Sequence, residues 1–158
     1  MSDTEAEGFS AQFERALEIV RERVLPAYAA QSDWVEQLRA GLWALLMLFD
    51  EQPELARLCV VRAPAAGPEA MARCREVMQR LAREVEREGS ELARAEVRAG
   101  SGVQAVGEAL GVIHARLLES ESARLEPLCN GLVAMIVRPY LGTQAARRQL
   151  GRPLGPGG

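Results

Sequence analysis

Residues 42–49 read LWALLMLF, eight apolar residues in a row with no charge to mark a solvent side. Upstream of this run Asp33 is placed as an N-cap, Trp34 lies just inside, and Glu36 follows three residues after the cap in a capping-box pattern. The run therefore belongs to a helix that starts at Trp34. A helix that is apolar all round has to be covered all round, which predicts that it is the central helix of a bundle.

Working toward the N-terminus, residues 9–30 follow a helical period, with Phe13, Leu17, Val20 and Val24 at i, i+4, i+7 and i+11. Pro26 lacks a backbone donor and is expected to kink or end this helix near its last turn. Residues 1–8 are acidic and polar and read as a disordered leader.

Working toward the C-terminus, Gln52-Pro53 breaks the apolar run, and Pro53 suits the first turn of a short helix over 54–60. A loop is expected over 62–67. From Pro68 a long amphipathic helix carries Met71, Cys74, Met78, Leu81 and Val85 on one stripe and Arg73, Arg80, Arg83 and Arg87 on its other faces. Gly89-Ser90 should weaken or end it, although 91–97 could continue helically, and 99–102 reads as a loop. Two further helices follow. Residues 103–119 place Val103, Val106, Leu110, Ile113 and Leu117 on one stripe, and 122–141 place Leu125, Leu128, Leu132, Met135, Ile136 and Tyr140 on another. Gly142 is a natural helix stop, 144–150 could add a turn or two, and the Gly/Pro-rich tail 151–158 should be flexible. No segment alternates as a strand would. The chain reads as all-α, a bundle of about six helices forming one domain over 9–150.

Composition narrows the function classes. With 158 residues the chain can build one real core, and aromatics at 4% leave that core to Leu, Val, Ala and Met. The net charge of −3 argues against a phosphate-binding surface. All 19 basic residues are Arg, and they alternate with Glu along helices, as solvated faces do. Cys59, Cys74 and Cys129 are odd in number and widely spaced, which fits a reducing cytoplasm rather than a disulfide framework. Their spacing does not suggest a metal site, and no metal or other cofactor is expected. The longest apolar run falls well short of the roughly 20 residues a membrane span needs. One His, two Thr and no glycine-rich phosphate loop leave nothing to assemble into a catalytic site, so no enzyme is expected. Asp50 and Glu51 are explained by capping and solvation at a helix end.

Three stretches carry a resemblance. They are WVEQLRAGLWALLMLFDEQPELARL at 34–58, APAAGPEA at 63–70, and GVIHARLLES at 111–120 followed by MIVRPYLGTQAARRQL at 135–150. In this order and spacing they resemble the C-terminal ligand-binding and dimerisation domain of the TetR family of bacterial transcriptional regulators. The resemblance covers 9–150. It implies a cytoplasmic effector-sensing domain that binds a small apolar ligand of unknown identity. It also implies that the last two long helices join those of a second copy in a four-helix bundle. The family's helix-turn-helix would precede Phe9 and is absent from this chain, so DNA binding by the chain itself is not expected. A stand-alone interaction protein that pairs with full-length regulators and antagonises their DNA binding, or a truncated repressor, would share the same pattern.

On that reading the homodimer interface comprises Gly107, Leu110, Gly111, Ile113, Leu117, Leu128, Leu132, Met135 and Ile136. Gly107 and Gly111 form a notch one turn apart where another backbone could approach. The ligand-binding residues are Phe13, Trp43, Met47 and Met78, whose apolar side chains could enclose a cavity, together with His114. His114 falls inside the apolar arc of its helix, and three readings stay open for it: in the cavity, across the dimer seam, or as a core residue with a hydrogen-bond partner.

Overall fold

A computed structural model describes residues 2–93, 97–120 and 122–156. Among the described residues the α-helices are α1 (Asp3–Ala29), α2 (Trp34–Glu51), α3 (Pro53–Arg57), α4 (Pro68–Leu92), α5 (Ser101–Glu119), α6 (Cys129–Leu141) and α7 (Thr143–Leu150). Six of these have eight residues or more, and there is no strand among the described residues, as the all-α reading requires.

Helix α1 begins at Asp3, six residues ahead of Phe9, so residues 3–8 of the expected disordered leader are helical. Ser2 and Glu5 make a reciprocal capping box: the Ser2 hydroxyl accepts from the Glu5 N–H at 3.2 Å, and the Glu5 carboxylate accepts from the Ser2 N–H at 3.1 Å. The S-x-x-E pattern at 2–5 was legible in the sequence. At the other end, Pro26 sits inside α1, which continues past it to Ala29.

Helix α2 starts where the sequence places it, with the Asp33 carboxylate accepting from the Glu36 N–H at 3.1 Å. Pro53 and Pro68 open α3 and α4. Between those two helices the expected loop is mostly wound: a π turn at Leu58–Arg62 runs into a 3-10 turn at Ala63–Ala65. Helix α4 passes through Gly89 to Leu92, and residues 94–96 of the allowed continuation lie outside the described residues. Gly89 lets helices meet rather than ending one. A Cβ there would stand 2.9 Å from Trp34 Cζ2 and 2.9 Å from Tyr140 Cδ1, and those two rings pack edge to face at 5.4 Å.

Helix α6, not α2, is the centre of the bundle. It packs against α2, α4, α5 and α7, and its Cys129, Leu132, Val133, Ile136, Val137 and Tyr140 are buried. It is shorter than expected because 126–128 form a 3-10 turn ahead of it. Asp50, at the end of α2, accepts from the N–H groups of Leu125 (2.7 Å) and Glu126 (3.1 Å) and so caps that turn across the fold. Helix α2 buries Leu46, Leu48 and Phe49 but leaves Leu42, Trp43, Ala44, Leu45 and Met47 only half covered.

The α2–α6–α7 junction holds a buried cation. Arg39 is fully buried, and its guanidinium donates to Asn130 Oδ1 at 2.5 Å and to Gln149 Oε1 at 2.8 Å. Burial, and then the nearby Arg152, lower its pKa from the ordinary arginine value. Arg152 itself bonds the Glu36 carboxylate, and its carbonyl accepts from Asn130 Nδ2 at 2.6 Å. The tail expected to be flexible from Gly151 is therefore anchored in its first turn.

Candidate functional site

An apolar cavity of about 310 Å³ lies among α1, α2, the π turn, α4 and α5, half open to solvent. Each helix contributes one stripe at helical spacing. From α1 come Phe13, Leu17 and Val20, and from α2 come Leu45 and Phe49. From α4 come Cys74, Val77, Met78 and Leu81, and from α5 come Gly107, Leu110, Gly111 and His114. The π turn adds Cys59 and Val60, and Pro64 follows. A π turn carries one residue more per turn than regular α-helix, which re-aims side chains, and such turns recur at functional sites.

Three of the five ligand-binding residues expected from the sequence, Phe13, Met78 and His114, line this cavity. Trp43 and Met47 do not. Positions two apart on a helix point about 200° apart, so a helix that aims Leu45 and Phe49 into the cavity aims Trp43 and Met47 away from it. The periodicity held both alternatives, and only the placement of α1 and α4 chose between them.

The interface residues expected from the sequence are also redistributed. Gly107, Leu110 and Gly111 line the cavity. Ile113, Leu117, Leu132 and Ile136 are buried in the core of a single chain, at 1–5% exposure, and have no surface to offer a second copy. Leu128 and Met135 are half-buried. Met135 faces a second depression of about 610 Å³ bounded by α5, α6 and α7. That groove is wide and polar-edged, with Gln104 and Glu108 on its α5 side and Arg138 and Arg147 on its α6–α7 side.

Electrostatically the cavity wall is neutral. No Asp, Glu or Arg is among the residues that line it. Burial pushes the Cys59 thiol up to about 11, with the neighbouring Cys74 thiol adding to the shift, and burial raises Cys74 as well. Both remain protonated, poorly nucleophilic thiols that behave as small apolar groups. His114 is half-buried on the wall and has no hydrogen-bond partner among the described residues.

Beside the cavity α1 is tied to α4 by a two-pronged ion pair: Arg73 Nε donates to Glu14 Oε1 at 2.6 Å and Nη2 to Oε2 at 3.1 Å. Glu14 follows Phe13 and Arg73 precedes Cys74, so the pair sits next to two lining residues. Arg73's hydrogen bond holds the Glu14 carboxyl below the usual carboxylate range, against a smaller opposing effect of burial.

No helix among the described residues is long and apolar enough to cross a membrane. In comparisons with known proteins, no family model, no curated protein and no solved structure matches this chain.

Proposed function

We propose that the chain is an effector-sensing and dimer-forming domain of the kind found in TetR-type transcriptional regulators, and that it binds a small apolar molecule between α1, α4 and α5. The observation that carries this reading is the cavity itself: an almost wholly apolar space of about 310 Å³, walled by four helices and one π turn. Its volume matches the small end of ligand pockets, which run from about 300 to 1,000 Å³. Helix α1 packs mainly on α2 and is joined to α4 by the Glu14–Arg73 pair, so a ligand that prefers one separation of α1 and α4 would act on that pair.

Pairing with a second copy is assigned to the α5–α6–α7 groove. Its acidic α5 edge and basic α6–α7 edge are self-complementary across a two-fold axis, since each copy brings Glu108 to the other's Arg138 and Arg147. Two measurements test the reading. Sedimentation equilibrium should give a dimer that weakens when Glu108 is changed to Arg and recovers when Arg138 and Arg147 are changed to Glu in the same chain. A monomer at every concentration would overturn the pairing. A thermal-shift panel of apolar compounds should raise the melting temperature in a concentration-dependent way. If compounds stabilise the protein equally after Phe13→Trp and Met78→Trp fill the space, the cavity is not the site.

A further inference from the structure

Three features of the cavity wall bear on what fits there. The first is the absence of Asp, Glu and Arg from the wall: apart from the His114 imidazole, nothing there would offset the hydration that a charged ligand group loses. The second is His114, an imidazole on the wall with no hydrogen-bond partner among the described residues. Its two ring nitrogens can hydrogen-bond a polar atom of a ligand. The third is the pair Gly107 and Gly111, one turn apart on α5. A Cβ on Gly107 would meet only Met78 Cε, at an ordinary 3.7 Å, and a Cβ on Gly111 would meet nothing within 4 Å. Neither glycine is required by a close backbone approach or by a positive φ. What their missing side chains leave is space on the cavity side of α5.

Resting on the assignment of this cavity as the ligand site, the geometry points to a neutral ligand with an apolar body and a single hydrogen-bonding group held by His114, with Gly107 and Gly111 setting how long a body fits. The polar tip docks at the imidazole. The body lies along Leu110 and Met78 and runs past the two glycines. A larger side chain at either glycine shortens the space without disturbing α5, because its first carbon already has room.

Primary n-alkanols from hexanol to dodecanol are the probe, titrated into the full chain by calorimetry, with decanoate and decane alongside. For the parent protein, affinity should rise about fourfold for each added methylene until the cavity is full and then level off. In Gly107→Leu the plateau should arrive about three to four carbons earlier, since the added isobutyl group takes up that much of the space. The melting temperature of this variant without ligand should be equal to or above the parent's, because Leu is the better helix former. That excludes unfolding as the cause. In His114→Leu, alkanol affinity should fall by about three- to tenfold while the rise per methylene persists. Measured near pH 8, above the range in which imidazoles ordinarily take a proton, decanoate should bind at least tenfold more weakly than decanol, because no charge on the wall then offsets its lost hydration.

Failure would be legible at each level. A parent protein that binds no alkanol defeats the ligand-site assignment and this inference together. Normal binding with an unchanged plateau in Gly107→Leu overturns the role of the glycines alone. Decanoate binding as tightly as decanol overturns the neutrality of the ligand, and an unchanged alkanol affinity in His114→Leu overturns the imidazole's part.

Discussion

The two halves of helix α2 stand in opposite environments. Its N-terminal half carries Arg39 into a junction with α6 and α7, where the two terminal nitrogens of a fully buried guanidinium donate to Asn130 and Gln149 while its Nε is left without a partner among the described residues. Its C-terminal half carries Leu45 and Phe49 to the wall of the apolar cavity. One region excludes water by meeting a buried charge with hydrogen bonds in fixed geometry. The other is built from side chains with no directional demand. Hydrogen bonds from the buried guanidinium tie the frame together, and the apolar cavity lies on the side where the Glu14–Arg73 pair joins α1 to α4.

The largest effect that could break this contrast lies at Arg39. Arg39→Ala should cost about 3 kcal/mol in denaturant unfolding, because it opens a cavity and leaves Asn130 and Gln149 without their donor. Arg39→Met refills the volume without the charge and should recover at least half of that loss. Equal losses in the two variants would show that the charge, not the filling, holds the junction.

The same substitution placed on both sides of the molecule should have opposite signs. Gly89→Ala forces a Cβ to within 2.9 Å of the Trp34 and Tyr140 rings and should cost about 1–3 kcal/mol. Gly111→Ala meets nothing within 4 Å and should gain about 0.5–1 kcal/mol from reduced backbone freedom in the unfolded chain. Thermal unfolding of the two variants checks this, and a loss at Gly111 would mean that the cavity mouth is more tightly closed than the geometry implies.

The smallest effect belongs to the ion pair. Glu14 and Arg73 have side chains 48% and 26% exposed, so Glu14→Gln should cost at most about 1 kcal/mol, less at high salt. The sign with pH follows from the lowered pKa of Glu14. The pair's contribution is complete above the ordinary glutamate range and is lost as pH falls through the lowered value. The Gln variant should lack that acid-side loss in a pH series of melting temperatures. An unchanged acid limb would show that other carboxylates carry it.

Much of the fold was legible because helix punctuation is local. Asp33, Pro53, Pro68 and Gly142 each mark a helix boundary through their own backbone chemistry, and the structure uses all four. The cap at Ser2 was equally local, but its S-x-x-E pattern precedes polar rather than apolar residues, so the segment read as a leader. The candidate site was legible in part. Phe13, Met78 and His114 belong to stripes that face the cavity, whereas Trp43 and Met47 lie in a run so uniformly apolar that no face could be chosen. Arg39 gave no signal, because an arginine on a helix normally reads as solvated.

The sequence by itself determined where the helices lie and which stripe of most of them is apolar, since both follow from residue chemistry within a few turns. The tertiary structure decided what each stripe meets. Ile113 and Leu132 turned into a single chain's core, Gly107 and Gly111 opened onto a cavity, and Arg39 went inside. The physical reason is that periodicity specifies a direction around one helix axis. The direction becomes core, cavity or solvent only when other helices, distant in sequence, are placed against it.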